Sequence, residues 1–340
     1  MFHRHLHCVM VSWLLLSGLA GAAEVDGEKV LDRFVGVWRT ETSRKGPEAP
    51  QGGKLTSHEV IAKSLKGRYL IGREWNPQSH AKVMWFMSYD PQAKNYAWTF
   101  FNTQGLLGTE WKGTWQDAAS TLNSKSSDAP STWTSEAVNR FVNPDSVEGN
   151  AWMKDDKGKF IFEMSLTKSR LPADTVEKTL AAWNADATPE VELSPPMKVL
   201  HRLAGTWDVT SHSKKAEWTP EEQSMKSNVV RSWVLNRHFL QDTSTSQDGS
   251  ESISLFTYDT KRSEYRSWWF SSAGFTSKST GQWDAASNSM QMKSTLPEGQ
   301  MSVGSVHFTD EDHHEWKILI TDAAGKVYFD CVWNCVRAKP

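Results

Sequence analysis

The sequence has few cysteines, 3 in 340 residues, and Cys8 falls in an N-terminal stretch expected to be removed. The other two, Cys331 and Cys335, are four residues apart. On an extended strand that is roughly 13 Å along one face, against the ~7 Å between Cα atoms that a disulfide tolerates. No disulfide is expected. A CxxxC pair with no further thiols or suitably spaced histidines also falls short of a zinc site. Charge of one sign is not in excess, since the formal net charge is -2. A phosphate-binding basic face, and with it a nucleic-acid partner, is therefore not expected. G-x-S-x-G, H-E-x-x-H and a Gly-rich phosphate loop do not occur. The local signatures of three large enzyme classes are thereby missing. No catalytic residue, metal or cofactor is assigned.

Long apolar runs are equally scarce. The single one, VMVSWLLLSGLA at 9–20, follows Arg4 and leads into AGAA. This order predicts a signal peptide over 1–23, cleaved after Ala22 or Ala23, and an exported protein, periplasmic or secreted. No later segment approaches the ~20 apolar residues of a membrane-spanning helix. No membrane insertion is expected after cleavage.

Tryptophan is plentiful, with 18 residues. Its large ring and single N–H donor suit barrel cores, pockets and interfaces alike. The chain also repeats itself. LDRFVGVWRT at 31–40 returns as LHRLAGTWDVT at 200–210. At an offset of 169, Leu31, Arg33, Gly36 and Trp38 meet Leu200, Arg202, Gly205 and Trp207, and Tyr69 meets His238. The offset slips to 168 at Trp115 and Trp283, then to 167 at DAAS, 117–120 against 284–287. A one-residue slip within a strand would turn every later side chain to the other face. Both slips are therefore placed in turns or bulges between Gly105 and Asp117. A unit of this length is a whole domain. The expected organisation is a first domain at 24–170, a helix and Pro-containing linker at 171–199, and a second domain at 200–340. Each half is expected to fold alone.

Each unit reads as β, with short runs of Trp, Phe, Tyr, Val, Thr and Ser between Gly, Asn, Asp and Pro punctuation. The first has strands near 36–43, 55–64, 68–76, 82–89, 95–102, 108–116, 119–126, 132–142, 148–154 and 159–169. In the last strands Phe160, Phe162, Met164 and Leu166 share a face, as do Val327, Phe329, Cys331 and Trp333. Helices are expected near 26–36, at 172–186 with an Asp cap, and near 197–205, with Pro195 and Pro196 stiffening the linker. The fold class is all-β: two tandem antiparallel up-and-down barrels of about nine or ten strands, with short lead-in helices.

Gly36-Val37-Trp38 with Arg170, and Gly205-Thr206-Trp207 with Arg337, resemble the lipocalin and calycin signature. The second copy's GTW…YD…WWF…GQWD resembles bacterial lipocalin-like domains of unknown function. The resemblance implies barrels closed at one end by Trp38 with Arg170 and by Trp207 with Arg337, and an interior able to hold a small ligand. It brings no established activity. Trp207, His238, Trp269, Cys331 and Trp333 are the candidate ligand-lining residues of the second barrel, and Met164 and Leu166 those of the first. The second barrel is favoured as the more aromatic site. DEDHHE at 310–315 is read as a solvated hairpin turn. Three readings stay open: an exported binding protein for a small apolar or aromatic molecule, an interaction module with filled barrels, and a hydrolase or isomerase using an inward His or carboxylate. Oligomeric state is not readable.

Overall fold

The computed structural model describes residues 26–46, 54–105, 107–127, 133–185, 192–296 and 299–339. The expected signal peptide lies outside them. Ten strands form the first closed antiparallel barrel. They are β1 (Gly36–Lys45), β2 (Lys54–Ser64), β3 (Tyr69–Trp75), β4 (Lys82–Asp90), β5 (Asn95–Asn102), β6 (Leu107–Gln116), β7 (Thr121–Ser126), β8 (Trp133–Asn143), β9 (Ser146–Asp155) and β10 (Phe160–Leu171). A second ten-stranded barrel comprises β11 (Gly205–Ser213), β12 (Gln223–Val234), β13 (Phe239–Ser246), β14 (Glu251–Asp259), β15 (Glu264–Ser271), β16 (Thr276–Asp284), β17 (Ser289–Thr295), β18 (Met301–Phe308), β19 (His313–Thr321) and β20 (Val327–Arg337). Each barrel closes through its own first and last strands, so no strand is shared.

Helices α1 (Gly27–Asp32) and α3 (Pro195–His201) precede the two first strands, and α2 (Val176–Asn184) follows β10. Pro195 and Pro196 open α3 rather than stiffening a linker. Their fixed φ and missing N–H suit a first helical turn. Asp174 lies in a short 3-10 turn ahead of α2, and the cap position is Thr175.

One end of each barrel is closed in the same way. The Trp38 indole donates to the Phe34 carbonyl at 2.8 Å, and the Arg170 guanidinium lies 4.1 Å from its ring centroid. Arg170 also donates to the carbonyls of Arg33 and Val35, at the end of the α1 segment. In the second barrel the Trp207 indole donates to Leu203 at 2.7 Å, and Arg337 lies 4.3 Å over the ring and donates to Ala204 and Arg202. A guanidinium on an indole contributes about 0.5–2 kcal/mol, more when dry. The glycine of G-x-W is required for two reasons. Gly36 and Gly205 have φ of +141° and +122°, and an added Cβ would fall 2.2 Å and 2.5 Å from the Arg170 and Arg337 guanidinium nitrogens. The paired Arg33 and Arg202 are explained too: they lie over Phe141 and Phe308 at 4.7 Å and 4.0 Å.

Strand register corrects two alignments. The first slip is a bulge where Phe100 faces Thr109 and Phe101 faces Leu107, leaving Gly108 unpaired, within the expected interval. The second falls after β7. Gln116↔Thr121 superposes on Asp284↔Ser289, and Ser120 and Asn288 hold the same left-handed turn position. The two DAAS stretches are therefore one residue out of step in space. The β2–β3 and β12–β13 turns match at 170, since Leu65, Lys66 and Gly67 share positive φ with Leu235, Asn236 and Arg237. Tyr69 thus corresponds to Phe239, not to His238.

The barrels meet along an apolar seam built from corresponding positions: Leu65 with Leu235, Tyr69 with Phe239, Met84 with Ile253, Phe86 with Leu255, and Phe101 with Phe270. The seam is therefore pseudo-twofold. Trp183 of α2 and Trp268 complete it. Gly108 sits against Trp268, where a Cβ would fall 2.2 Å from the indole. This close approach and its φ of +74° explain a glycine in the bulge.

Candidate lumen sites

Alternation along the strands turns every second side chain inward. In the first barrel the cross-strand pairs Trp38↔Glu59, Thr40↔Lys168 and Glu59↔Glu74 share the inner face. They place four charged residues inside: Arg44, Glu59, Glu74 and Lys168. Glu59 is 1% exposed. Its carboxylate accepts from the Lys168 ammonium at 2.5 Å and from the Trp85 indole at 2.7 Å. The Ser57 hydroxyl donates to Glu74. Burial, and then the charge of Glu59, raise Glu74 above the usual carboxylate range, against the pull of Lys168, Ser57 and Arg44. Burial alone would lower Lys168. The charges of Glu59 and Glu74, with the hydrogen bond to Glu59, outweigh it and hold the ammonium above its ordinary value.

Two inner-face polar atoms in this region are buried without a partner, Thr40 Oγ1 and Arg44 Nε. On the opposite side, β5 and β6 carry an aromatic wall. Trp98 and Trp111 are stacked at 6.3 Å with planes 11° apart, and Phe100 and Trp85 adjoin them. Met164 and Leu166 face the same interior from β10, opposite Ala151 and Gly149. Both therefore face the lumen. Phe160 leaves that face: a register shift separates it from Phe162, and its side chain is exposed.

The second interior differs at corresponding positions. Glu59, Glu74 and Lys168 correspond to Val229, Ser244 and Cys335. The charges lie one layer deeper, where the first barrel has Ile61, Gly72 and Val147. There Arg231 pairs with Asp242 at 2.6 Å and meets His314 Nε2 at 3.0 Å. His314 packs edge-on against Trp207 at 4.3 Å. Burial first, then Arg231 and Arg337, depress its pKa to about 3. The DEDHHE stretch is therefore only partly a solvated turn: His313 is outside and His314 is a buried floor residue.

Trp207 is fully buried as part of that floor, below the remaining candidates. Cys331 and Trp333 face inward from β20, and Trp269 faces inward from β15 with 38% of its surface exposed. Cys331 and Cys335 are buried free thiols, and Ser213 donates to Cys331 Sγ at 3.1 Å. His238 is not in the lumen. It is exposed in the β12–β13 turn at the closed end, its carbonyl accepting from Thr257 at 2.7 Å. The outer seam adds a cleft of about 300 Å³ lined by Arg266, Trp268, Lys278 and Lys293. Glu110 of the first barrel pairs with Lys278 there at 2.9 Å.

The model of the family described as "Protein of unknown function (DUF1579)" matches residues 26–170 and again 192–328, one match per barrel. The chain belongs to this family. No curated protein matches it. Among solved structures, a DUF3598-family protein of unknown function from Nostoc punctiforme covers 92% of this chain and 100% of its own, at 8% identity and a TM-score of 0.28. The S-type phycobiliprotein lyase CPES from Guillardia theta covers 44% of this chain and 94% of its own, at 14% identity and a TM-score of 0.33. Rv2717c from M. tuberculosis covers 44% and 100%, at 15% identity and a TM-score of 0.35. In this DUF1579 chain the scaffold residues of the two barrels agree, whereas the interior charges do not.

Proposed function

We propose that the chain is an exported binding protein for a small, largely apolar or aromatic molecule, held inside a barrel, with the first barrel as the principal site. One observation carries this reading. An aromatic wall faces buried polar atoms, Thr40 Oγ1 and Arg44 Nε, that no protein group satisfies. Such atoms cost free energy in the empty protein, about 1–3 kcal/mol each, and a ligand offsets that cost by pairing with them. The preference moves from the second barrel to the first because Trp85, Trp98, Phe100 and Trp111 form one continuous wall there. Titrating a fluorescent naphthalene probe into the full chain tests this, with Trp98→Ala and Trp333→Ala reporting on each lumen. Weaker binding in Trp98→Ala supports the first lumen. Unchanged binding in both variants favours an outer-surface interaction module instead.

The Glu59–Glu74 pair supports one second reading. A carboxyl held above the usual carboxylate range beside a second carboxylate is the arrangement used for general acid–base work. Conversion of a bound molecule, rather than its recovery unchanged by native mass spectrometry, would favour that reading. Export rests on residues 1–23 and is tested by fractionating the native host and sequencing the mature N-terminus.

A further inference from the structure

The polar and aromatic groups of the first lumen are not scattered around it. Arg44 and Thr40 lie on β1, while Trp98, Phe100 and Trp111 lie on β5 and β6. In a ring of ten strands these positions are half a circumference apart. A molecule reaching both must lie across the lumen, with a polar group at one end and a flat apolar body at the other. Trp98 and Trp111 are nearly parallel, and Phe100 and Trp111 are the partly exposed rings of the wall, available for stacking.

The chemistry at the polar end selects an acceptor. Arg44 Nε–H can only donate, and the Thr40 hydroxyl, 3% exposed, can donate as well. Lys168 and the Trp85 indole are already committed to Glu59. We propose that the first lumen takes a flat aromatic carboxylic acid, its carboxylate on Arg44 and its ring against Phe100 and Trp111. The inference rests on the lumen-binding reading and adds the class of ligand.

Capture of the acid is coupled to a proton. Among the described residues, the charged groups facing Glu74 are Glu59 on β2, Arg44 on β1 and Lys168 on β10, with the Ser57 hydroxyl hydrogen-bonded to it. With Glu74 ionised, the four interior charges cancel and a bound carboxylate leaves one negative charge in excess. With Glu74 protonated, the bound carboxylate is balanced. A ligand anion beside Arg44 also weakens Arg44's pull on Glu74 and raises it further. Binding therefore takes up a proton, and affinity falls as pH rises through the titration of Glu74.

The test is a tryptophan-fluorescence and calorimetric titration of the full chain with 2-naphthoate and with its neutral amide. The acid is expected to bind about tenfold or more tightly, the scale of one hydrogen bond to a charged group. Arg44→Met should remove this preference while amide binding persists. Calorimetry in buffers of different ionisation enthalpy should show proton uptake that is lost in Glu74→Gln. Equal binding of acid and amide overturns the acid assignment and leaves the lumen reading intact. Binding of neither overturns both.

Discussion

Phe86 of the first barrel and Phe270 of the second lie face to face, ring centroids 4.2 Å apart and planes 6° from parallel. Around them Phe101 meets Phe239 and Trp268 edge-on, at 5.4 Å and 5.1 Å. This packing joins two barrels that close independently. It bears on the expectation that each half folds alone, because a separated half keeps a complete barrel but exposes an aromatic face.

Residues 192–340, expressed alone, should fold and self-associate through the freed face. The seam's pseudo-twofold character favours such pairing, since its contacts are reciprocal: Tyr69 meets Phe270 as Phe239 meets Phe101. Sedimentation velocity should show a dimer or larger species, and Phe270→Asp should return it to monomer. A monomeric, soluble parent fragment would mean that the seam does not drive association. In the full chain, Phe270→Ala should cost about 3–5 kcal/mol, as for other buried Phe truncations.

Scaffold features were more legible than the interior. Gly36, Trp38 and Arg170, and their partners Gly205, Trp207 and Arg337, mark the closure because backbone conformation and indole–guanidinium stacking constrain residue type directly. The strands of the first unit were legible from runs of aromatic, β-branched and hydroxyl residues between turn residues, with period-two patterning clear in β10. The interior cluster was not. Glu59 sits in HEVIA, where Val60 and Ile61 are buried on both faces, because α2 and the second barrel cover the outside of β2 and β3. Alternation is lost there, and a carboxylate beside apolar residues gives no sign of facing inward. His238 failed for a related reason. An offset read from side chains alone misplaced a turn whose shape is set by three successive positive-φ residues. The opposition of β1 and β5–β6 depends on barrel closure, which no local pattern encodes.

Glu74→Gln should stabilise the unliganded protein at neutral pH. The unfolded carboxyl ionises near its ordinary value of 4.5, whereas the folded one keeps its proton to a higher pH. The unfolded state then binds fewer protons, so stability falls as pH rises from 4.5 through the folded value, at about 1.4 kcal/mol per unit. Gln has no such loss and can still accept from Ser57. Urea unfolding should show the variant ahead at pH 7 and level with the parent below 4.5. A variant less stable at every pH would show that the ionised form is the favoured one.

Lys168 and Glu59 should behave as a unit. Lys168→Met leaves Glu59 buried with an indole donor but no cation, and loss of one member of a buried pair costs about 3–5 kcal/mol. Adding Glu59→Gln should recover much of that, because the uncompensated charge is gone. A double-mutant cycle by thermal unfolding reads the coupling directly. Additive costs would place the pair in a wetter setting than its 1% and 21% side-chain exposures indicate.

His314 should make the second barrel acid-sensitive. In the unfolded chain its imidazole gains a proton near 6.5, but in the folded barrel burial and two guanidinium groups hold that step down to about 3. Between those values the unfolded state carries the extra proton, so stability is lost as pH falls, by about 1.4 kcal/mol per unit. His314→Gln keeps a side-chain acceptor for Arg231 and has nothing to titrate. The two proteins should therefore differ by a sloping amount from pH 6.5 downward and by a constant amount above it. Urea midpoints at four pH values spanning 7 to 4, with unchanged m-values, give that difference. Because Trp207 packs edge-on against His314 at 4.3 Å, its near-ultraviolet circular dichroism band should report when the floor opens. If both proteins lose stability in parallel through this range, the acid response belongs to the carboxylates elsewhere in the chain rather than to His314.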